Sequence, residues 1–366
     1  MRFTEFRTIL TEAAKVGREY QHLEDLVFAD GAAGANEAAD ILDKLGTDTS
    51  DVSIKWDGNP TVYWGRETDG QFVMVGKNGW GKNKSTNPED LSKFIKTSGK
   101  GVEGEPWRED FGNNMAATFK ILEKATPPDF RGYVYGDILY MPGKPFASGK
   151  EGIQFTPNKV TYTVTPDSQL GKRIAGSKVG VVVHSKYDEF GGKSGTPIED
   201  TAALNTSEAV VLGQTYVTHQ PKVDTSAVKE IRSLTAKNGK AIDQFLAPVA
   251  GLSDMKNIIY TYVNQQSKGG NLDGLGNNFF DWLKASNVSP NKQAKIAEMN
   301  KSNPKALPAV FELVRKIMAV KNDLIDQLDS ADADVKATTK GEKGGEGYVA
   351  LGSKTKLVPR HRWTPN

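Results

Sequence analysis

The chain has 366 residues, 37% of them hydrophobic and 25% charged, a length that holds two domains or one domain with a large insertion. It contains no cysteine, which excludes disulfides, thiolate zinc sites, iron–sulfur clusters and cysteine nucleophiles, and suits a reducing compartment. Forty-seven Lys and Arg against 45 Asp and Glu give +2, so nucleic-acid binding would have to come from local patches rather than a global polycation.

Residues 1–46 read as helical. Phe6, Ile9, Leu10, Ala13 and Ala14 share one face, and Ala38, Ile41, Leu42 and Leu45 form a second stripe. Between them FADGAAGAN reads as a glycine-rich turn. Glu5 and Glu12 interrupt the first segment, so it is not expected to be a signal peptide, and no apolar run reaches the length of a membrane span. A soluble, cytoplasmic protein without membrane contact is the expectation.

From about 51 to 187 short β-rich runs follow one another: VSIKW, TVYWG, QFVMVG, GYVYGDILY, IQFTP, KVTYTV and VGVVVHSKY. One helix is predicted at Asn113–Lys124, ending before Pro127-Pro128. Strands that cluster rather than alternate with helices predict an antiparallel α+β class. Residues 200–335 turn helical, and Val310, Leu313, Val314, Ile317, Val320, Leu324 and Leu328 line one face of the last helix. KATTKGEKGG (336–345) reads as a linker, and EGYVALGSKTKLV as a terminal strand signal. The predicted organisation is an N-terminal helical segment (1–46), a sheet core (47–199), a helical insertion (200–335) and C-terminal strands that complete the core (336–366).

Chemistry concentrates in Ser53-Ile54-Lys55-Trp56-Asp57-Gly58-Asn59-Pro60. On an extended chain, positions i and i+2 share a face, which would point Lys55 and Asp57 the same way. A nucleophilic lysine needs nearby charge or desolvation to lose its proton; the plainer alternative is a surface lysine before an Asp-Gly hairpin turn. Asp137 is one acid in the apolar strand Tyr133–Tyr140, aimed either at solvent or into a site. Glu346 stands between glycines ahead of a strand and is followed by Lys354, Lys356 and Arg360. Such acids and late cations would suit a nucleoside triphosphate with its metal.

Two further patterns compete. Gly76-Lys77-Asn78-Gly79-Trp80-Gly81-Lys82-Asn83 satisfies G-x-x-x-x-G-K but has Asn where a P-loop needs Ser or Thr, and Pro88 and turn formers follow instead of a helix. A basic hairpin fits better, with Lys77 either a phosphate contact or a solvated lysine. Lys82, Lys84, Lys93, Lys96 and Lys100, interleaved with Trp80 and Phe94, read as a polynucleotide track or as a solvated loop diluted by Glu89, Asp90, Glu103 and Glu105.

The ordered set K-x-D-G, a Gly-acid strand, E-G-Y-V-A and a basic strand resembles the covalent nucleotidyltransferase superfamily of ATP-dependent DNA ligases, RNA ligases and capping enzymes. EGYVA with its lysine-bearing strand is most similar to phage RNA ligases of the tRNA-repair type. HLEDLVFADG, FTPNKVTYTVTPDSQLGKRI and VGVVVHSKY also resemble a family of proteins of large tailed phages, which would place the protein in the host cytoplasm. The resemblance covers about 51–187 and 342–363. It implies an antiparallel-sheet, ATP-grasp-like adenylation fold in which Lys55 becomes a lysyl–AMP. Asp57 would orient that lysine, with Ile54 and Gly58 beside it, and Asp137 would meet the ribose. His184–Tyr187 would wall the base pocket, Glu346 with Asp137 would position Mg²⁺ or Mn²⁺, and Lys356, Lys354 or Arg360 would hold phosphates. ATP would donate AMP to nucleic acid with 5′-phosphate and 3′-hydroxyl ends. RNA is preferred over DNA, because a last strand at Lys356–Val358 leaves no room for a C-terminal OB domain before Asn366. A different acceptor, or an inactive ligase-like binding or structural protein, are the alternatives, and the oligomeric state is open.

Overall fold

The computed structural model describes residues 20–98, 105–198, 200–269, 272–331 and 333–363. The predicted helix through Phe6–Ala14, together with Lys100 and Glu103, lies outside them. The chain is mixed α/β with mostly antiparallel sheets and divides into two units. A sheet unit comprises Ile54–Thr215 and Asp332–Glu346; a helical unit comprises Met1–Ser53, Tyr216–Ala331 and Gly347–Asn366. The division departs from the predicted boundaries at both ends of the helical insertion.

The sheet unit contains, in chain order, β1 (Thr61–Arg66), β2 (Phe72–Gly76), α1 (Pro88–Thr97), α2 (Pro106–Ala125), β3 (Gly132–Tyr140), β4 (Ala147–Gly149), β5 (Gly152–Phe155), β6 (Val160–Val164), α3 (Gln169–Ala175), β7 (Val179–Tyr187), β8 (Thr196–Pro197), β9 (Ala209–Leu212), β10 (Val335–Thr339) and β11 (Glu342–Lys343). The central sheet runs β8-β7-β3-β1-β2, with β9 parallel to β7. Strand alternation sorts its side chains. Val62, Trp64, Phe72, Met74, Val134, Ile138, Val181 and Val183 pack with Leu91, Met115, Phe119 and Leu122 of α1 and α2. Tyr63, Val73, Val75, Tyr133 and Tyr135 therefore stand on the opposite face, as does Asp137. The second sheet runs β11-β10-β6-β5-β4 and is antiparallel throughout.

Several expectations change here. Helix α2 begins well before Asn113, and α1 was not predicted. Its start is nonetheless written in the chain: Asn87 Oδ1 accepts from Asp90 N at 2.8 Å, Pro88 opens the helix, and Glu89 and Asp90 occupy its first turn. β9 falls where helix was expected, because four buried apolar residues are too few to show a helical period. The predicted linker is a hairpin, since Lys340 (φ 53°) and Gly341 (φ 82°) supply the left-handed pair that a two-residue turn between β10 and β11 requires.

In the helical unit, helices Leu26–Leu45, Thr225–Leu246 and Ala306–Ser330 pack on one another. Every residue of the stripe from Val310 to Leu328 is buried, and Pro290–Ser302 adds a helix not predicted. FADGAAGAN does not form a loop. It lies within Leu26–Leu45, broken only at Asp30 and Gly31 (φ 59°, ψ −128°), where Asp243 Oδ1 accepts the freed Ala32 N–H at 2.8 Å. The strands Tyr348–Ala350 and Thr355–Leu357 were expected to complete the sheet core. They instead form, with Gln21–His22 and Val52–Ile54, a separate four-stranded sheet. Tyr348 Oη donates to Asp329 at 2.8 Å, Lys321 Nζ to the Val358 carbonyl at 2.8 Å, and Arg362 to Asp326 and Asp329. These bonds tie the C-terminal strands to the long helix.

Candidate functional site: a lysine among three carboxylates

Segment 55–60 is irregular backbone fixed at both ends. Ile54 N donates to the Thr215 carbonyl at 2.8 Å, Asn59 N to Ile138 O at 2.9 Å, and Ile138 N to Pro60 O at 2.9 Å. Trp56 is buried, its ring 4.6 Å from Tyr162 and stacked on Phe155 at 6.3 Å. Gly58 permits the close approach to β3, because a Cβ there would lie 2.5 Å from Asp137 Cβ.

This path separates Lys55 from its neighbour two residues on. Lys55 Nζ forms an ion pair with Glu346, both side chains about a quarter exposed or less, at 26% and 21%. Asp57 turns to the second sheet, accepting from Asn158 Nδ2 at 2.9 Å, Lys159 N at 2.8 Å and Val160 N at 3.1 Å. Its own N–H donates to Tyr162 Oη at 2.6 Å. The shared strand face expected for Lys55 and Asp57 is thus replaced by a turn anchored on β6. Both charges still act on Glu346. Burial pushes the Glu346 carboxyl above its ordinary range, Lys55 opposes that, and Asp57 and Asp137 add to it.

Asp137 Oδ1 accepts from Thr61 Oγ1 at 2.6 Å, and Oδ2 lies 3.0 Å from His184 Nε2. The pairing of β3 with β7 jumps from Tyr135↔Ser185 to Gly136↔Val183, which leaves His184 as the extra residue of a β-bulge. The bulge aims the imidazole at the face that carries Asp137 and sets it 5.2 Å from the Tyr135 ring. Burial, the largest influence on Asp137, raises its carboxyl. The bond and charge of His184, the Thr61 bond and Lys55 together outweigh burial and hold it below its ordinary value.

The carboxylates do not fit a resident divalent ion. Both oxygens of Asp57 and both of Asp137 are already engaged, and Glu346 faces Lys55. Among the described residues no group of three or more His, Asp and Glu side chains is placed to hold a metal. The metal role expected of Glu346 and Asp137 therefore has no cage behind it among the described residues.

The family described as "Family of unknown function (DUF6267)" matches residues 19–365. The chain belongs to that family. No curated protein and no solved structure matches.

In this family member the remaining predicted contacts are spread over several elements. Lys354, at positive φ (51°), and Lys356 lie on the Tyr348–Leu357 hairpin of the helical unit. Arg360 is 2% exposed and pairs with Glu24 at 2.8 Å and with Asp25, so it is consumed by a buried cluster rather than presented to phosphate. Lys77 is exposed in the turn after β2, at the end of the sheet where Thr61 faces Asp137. No helix follows the G-x-x-x-x-G-K pattern until Pro88. Thr61, Asn158, Tyr162 and Tyr135 complete the site but were not singled out from sequence. Alternation along β1 and β3 places Thr61 and Tyr135 on Asp137's face, whereas nothing local marks Asn158 or Tyr162.

Proposed function

We propose that the protein is a nucleotidyltransferase of the ATP-dependent polynucleotide ligase type, with Lys55 as the nucleophile. The observation that carries this reading is the pairing of the K-x-D-G lysine with Glu346, far down the chain, in a half-buried site shared with Asp57 and Asp137. A lysine held among carboxylates is pre-positioned, and Glu346, itself biased toward protonation, stands where it can take the ammonium proton. The Lys55 Nζ lone pair then attacks the α-phosphorus of the ATP–metal substrate. The N–P bond forms, the α–β bridging P–O bond breaks, and pyrophosphate leaves with the electron pair. AMP passes next to a 5′-phosphate, and a 3′-hydroxyl displaces it to seal the strand, RNA being preferred over DNA.

The test is incubation with α-labelled ATP and Mg²⁺ or Mn²⁺, followed by a denaturing gel. A label on the protein that acid releases, as it does a phosphoramidate, and that Lys55→Ala abolishes supports the reading. No label with either metal overturns it. Chasing the labelled protein with 5′-phosphorylated RNA, then DNA, identifies the acceptor.

A further inference from the structure

The face of the central sheet that carries Asp137 also carries a pile of aromatic rings. Trp80 stacks on Tyr63 with centroids 4.2 Å apart and planes 13° apart. Tyr63 stacks on Tyr135 at 4.9 Å and 25°, and Tyr135 leads to His184 and so to Asp137. Tyr187 stands edge-on to Tyr63 and Trp80, at 5.9 Å and 5.3 Å. Trp80, Tyr63, Tyr135 and Tyr187 are all half-buried rather than sealed, while the other face of the same sheet is closed by α1 and α2.

The loop bearing Trp80 is held in place. Trp80 Nε1 donates to the Gly192 carbonyl at 3.2 Å, and Gly81 (φ 71°) and Gly191 (φ 82°) pack so closely that a Cβ on Gly191 would lie 2.6 Å from Gly81 Cα. Residues 77–84 read KNGWGKNK, three lysines and no acid, all three exposed. Lys84 pairs with Glu67 at 2.7 Å and lies 5.2 Å over the Phe190 ring, and the facing loop contributes Lys193 against Asp188 and Glu189. Burial, with help from Tyr187 and Asp137, pushes the Tyr63 hydroxyl up to about 12, so that ring adds no charge near neutral pH.

Half-open aromatic rings beside a lysine-only loop are the elements by which proteins hold unpaired bases while cations follow the phosphates. A duplex keeps its base faces stacked internally and offers rings nothing to stack on. We infer that the Trp80–Tyr63–Tyr135 face, with Lys77 and Lys82, is the docking track for single-stranded polynucleotide beside the Lys55 site. The inference rests on the ligase reading for its purpose and specifies the acceptor as an unpaired end rather than a nicked duplex.

The test measures binding without ATP, which separates it from the adenylation assay. Fluorescence anisotropy of a labelled, 5′-phosphorylated single-stranded RNA oligonucleotide is titrated with protein at two salt concentrations, beside a nicked duplex. The expected result is single-strand binding that weakens with salt, roughly tenfold weaker binding in Trp80→Ala, partial recovery in Trp80→Phe, and no change in Trp107→Ala, an exposed tryptophan on α2. Should Trp80→Ala fail to fold, Lys82→Glu alters only an exposed side chain and is expected to weaken binding and flatten its salt dependence. No single-strand binding, unchanged affinity in Trp80→Ala and Lys82→Glu, or tighter binding of the nicked duplex each overturns the inference. A labelled lysyl adduct together with no RNA binding would leave the adenylation chemistry standing and remove the track.

Discussion

Asp57 and Asp137 are both carboxylates near Lys55, yet their surroundings assign them different work. Asp57 spends its oxygens on three donors of the second sheet and acts as an anchor for the segment that carries the lysine. Asp137 meets a hydroxyl and an imidazole, and its depressed carboxyl carries a sign. Stability from its ionisation is present above the unfolded value, ordinarily 3.8, and is lost as pH falls through the lower folded value. Asp137→Asn is accordingly expected to cost about 1–3 kcal/mol near pH 7 and progressively less below pH 4. Urea denaturation across that range checks it, and an equal loss at every pH would show that the charge is not what matters. The neighbouring ion pair behaves oppositely. Glu346 is raised, so its ionisation costs stability as pH rises past its ordinary 4.5, and Lys55 offsets that cost. Lys55→Ala is expected to lose roughly 1 kcal/mol at pH 8 and less at pH 5, a modest figure because both groups are partly solvated.

At the scale of elements, the site depends on one close approach of backbone and one break in strand register. Segment 55–60 rests on β3 only because Gly58 has no side chain. In Gly58→Ala the new methyl would meet Asp137 Cβ at 2.5 Å and its backbone at 3.1 and 3.2 Å. Backbone cannot rotate away as a side-chain tip can, so the expected cost is about 1–3 kcal/mol, with the Lys55–Glu346 pair disrupted. Thermal melting and the lysyl-label assay read the two effects separately, and a variant unchanged in both would refute the role given to this contact. The β-bulge at His184 is the second device. Without the extra residue, alternation along β7 would send that side chain elsewhere. Strands β1, β2, β3, β5, β6 and β7 were legible from alternation and β-branched composition, whereas β9, β10 and β11 were not. The bulge was not, because a register shift leaves no mark in one strand's own pattern and exists only relative to β3.

At the scale of the whole molecule, Glu24, Asp25, Lys321 and Arg360 form a fully buried cluster joining the early chain, the longest helix and the last turn. Lys321 Nζ reaches both Glu24 oxygens, at 2.8 and 3.0 Å. Burial pushes Asp25 up to about 6 against the pull of Arg360, while Glu24 stays low because Lys321 and Arg360 together outweigh its burial. Arg360→Met would leave two buried acids facing one lysine. A loss of about 3–5 kcal/mol is expected, deeper at pH 8 than at pH 5, where Asp25 can take up a proton. Chemical denaturation at the two pH values checks the sign. From its residues alone the chain determined the β-rich and helical stretches, the apolar stripe of the long helix and the three acids worth watching, because period and composition are local properties. Only tertiary structure decided which partners Lys55 and Arg360 take. Lys55 found Glu346, whereas Arg360 was drawn into a buried cluster. A charge is assigned its work by the partner that compensates its desolvation, and that partner is set by the fold rather than by spacing along the chain.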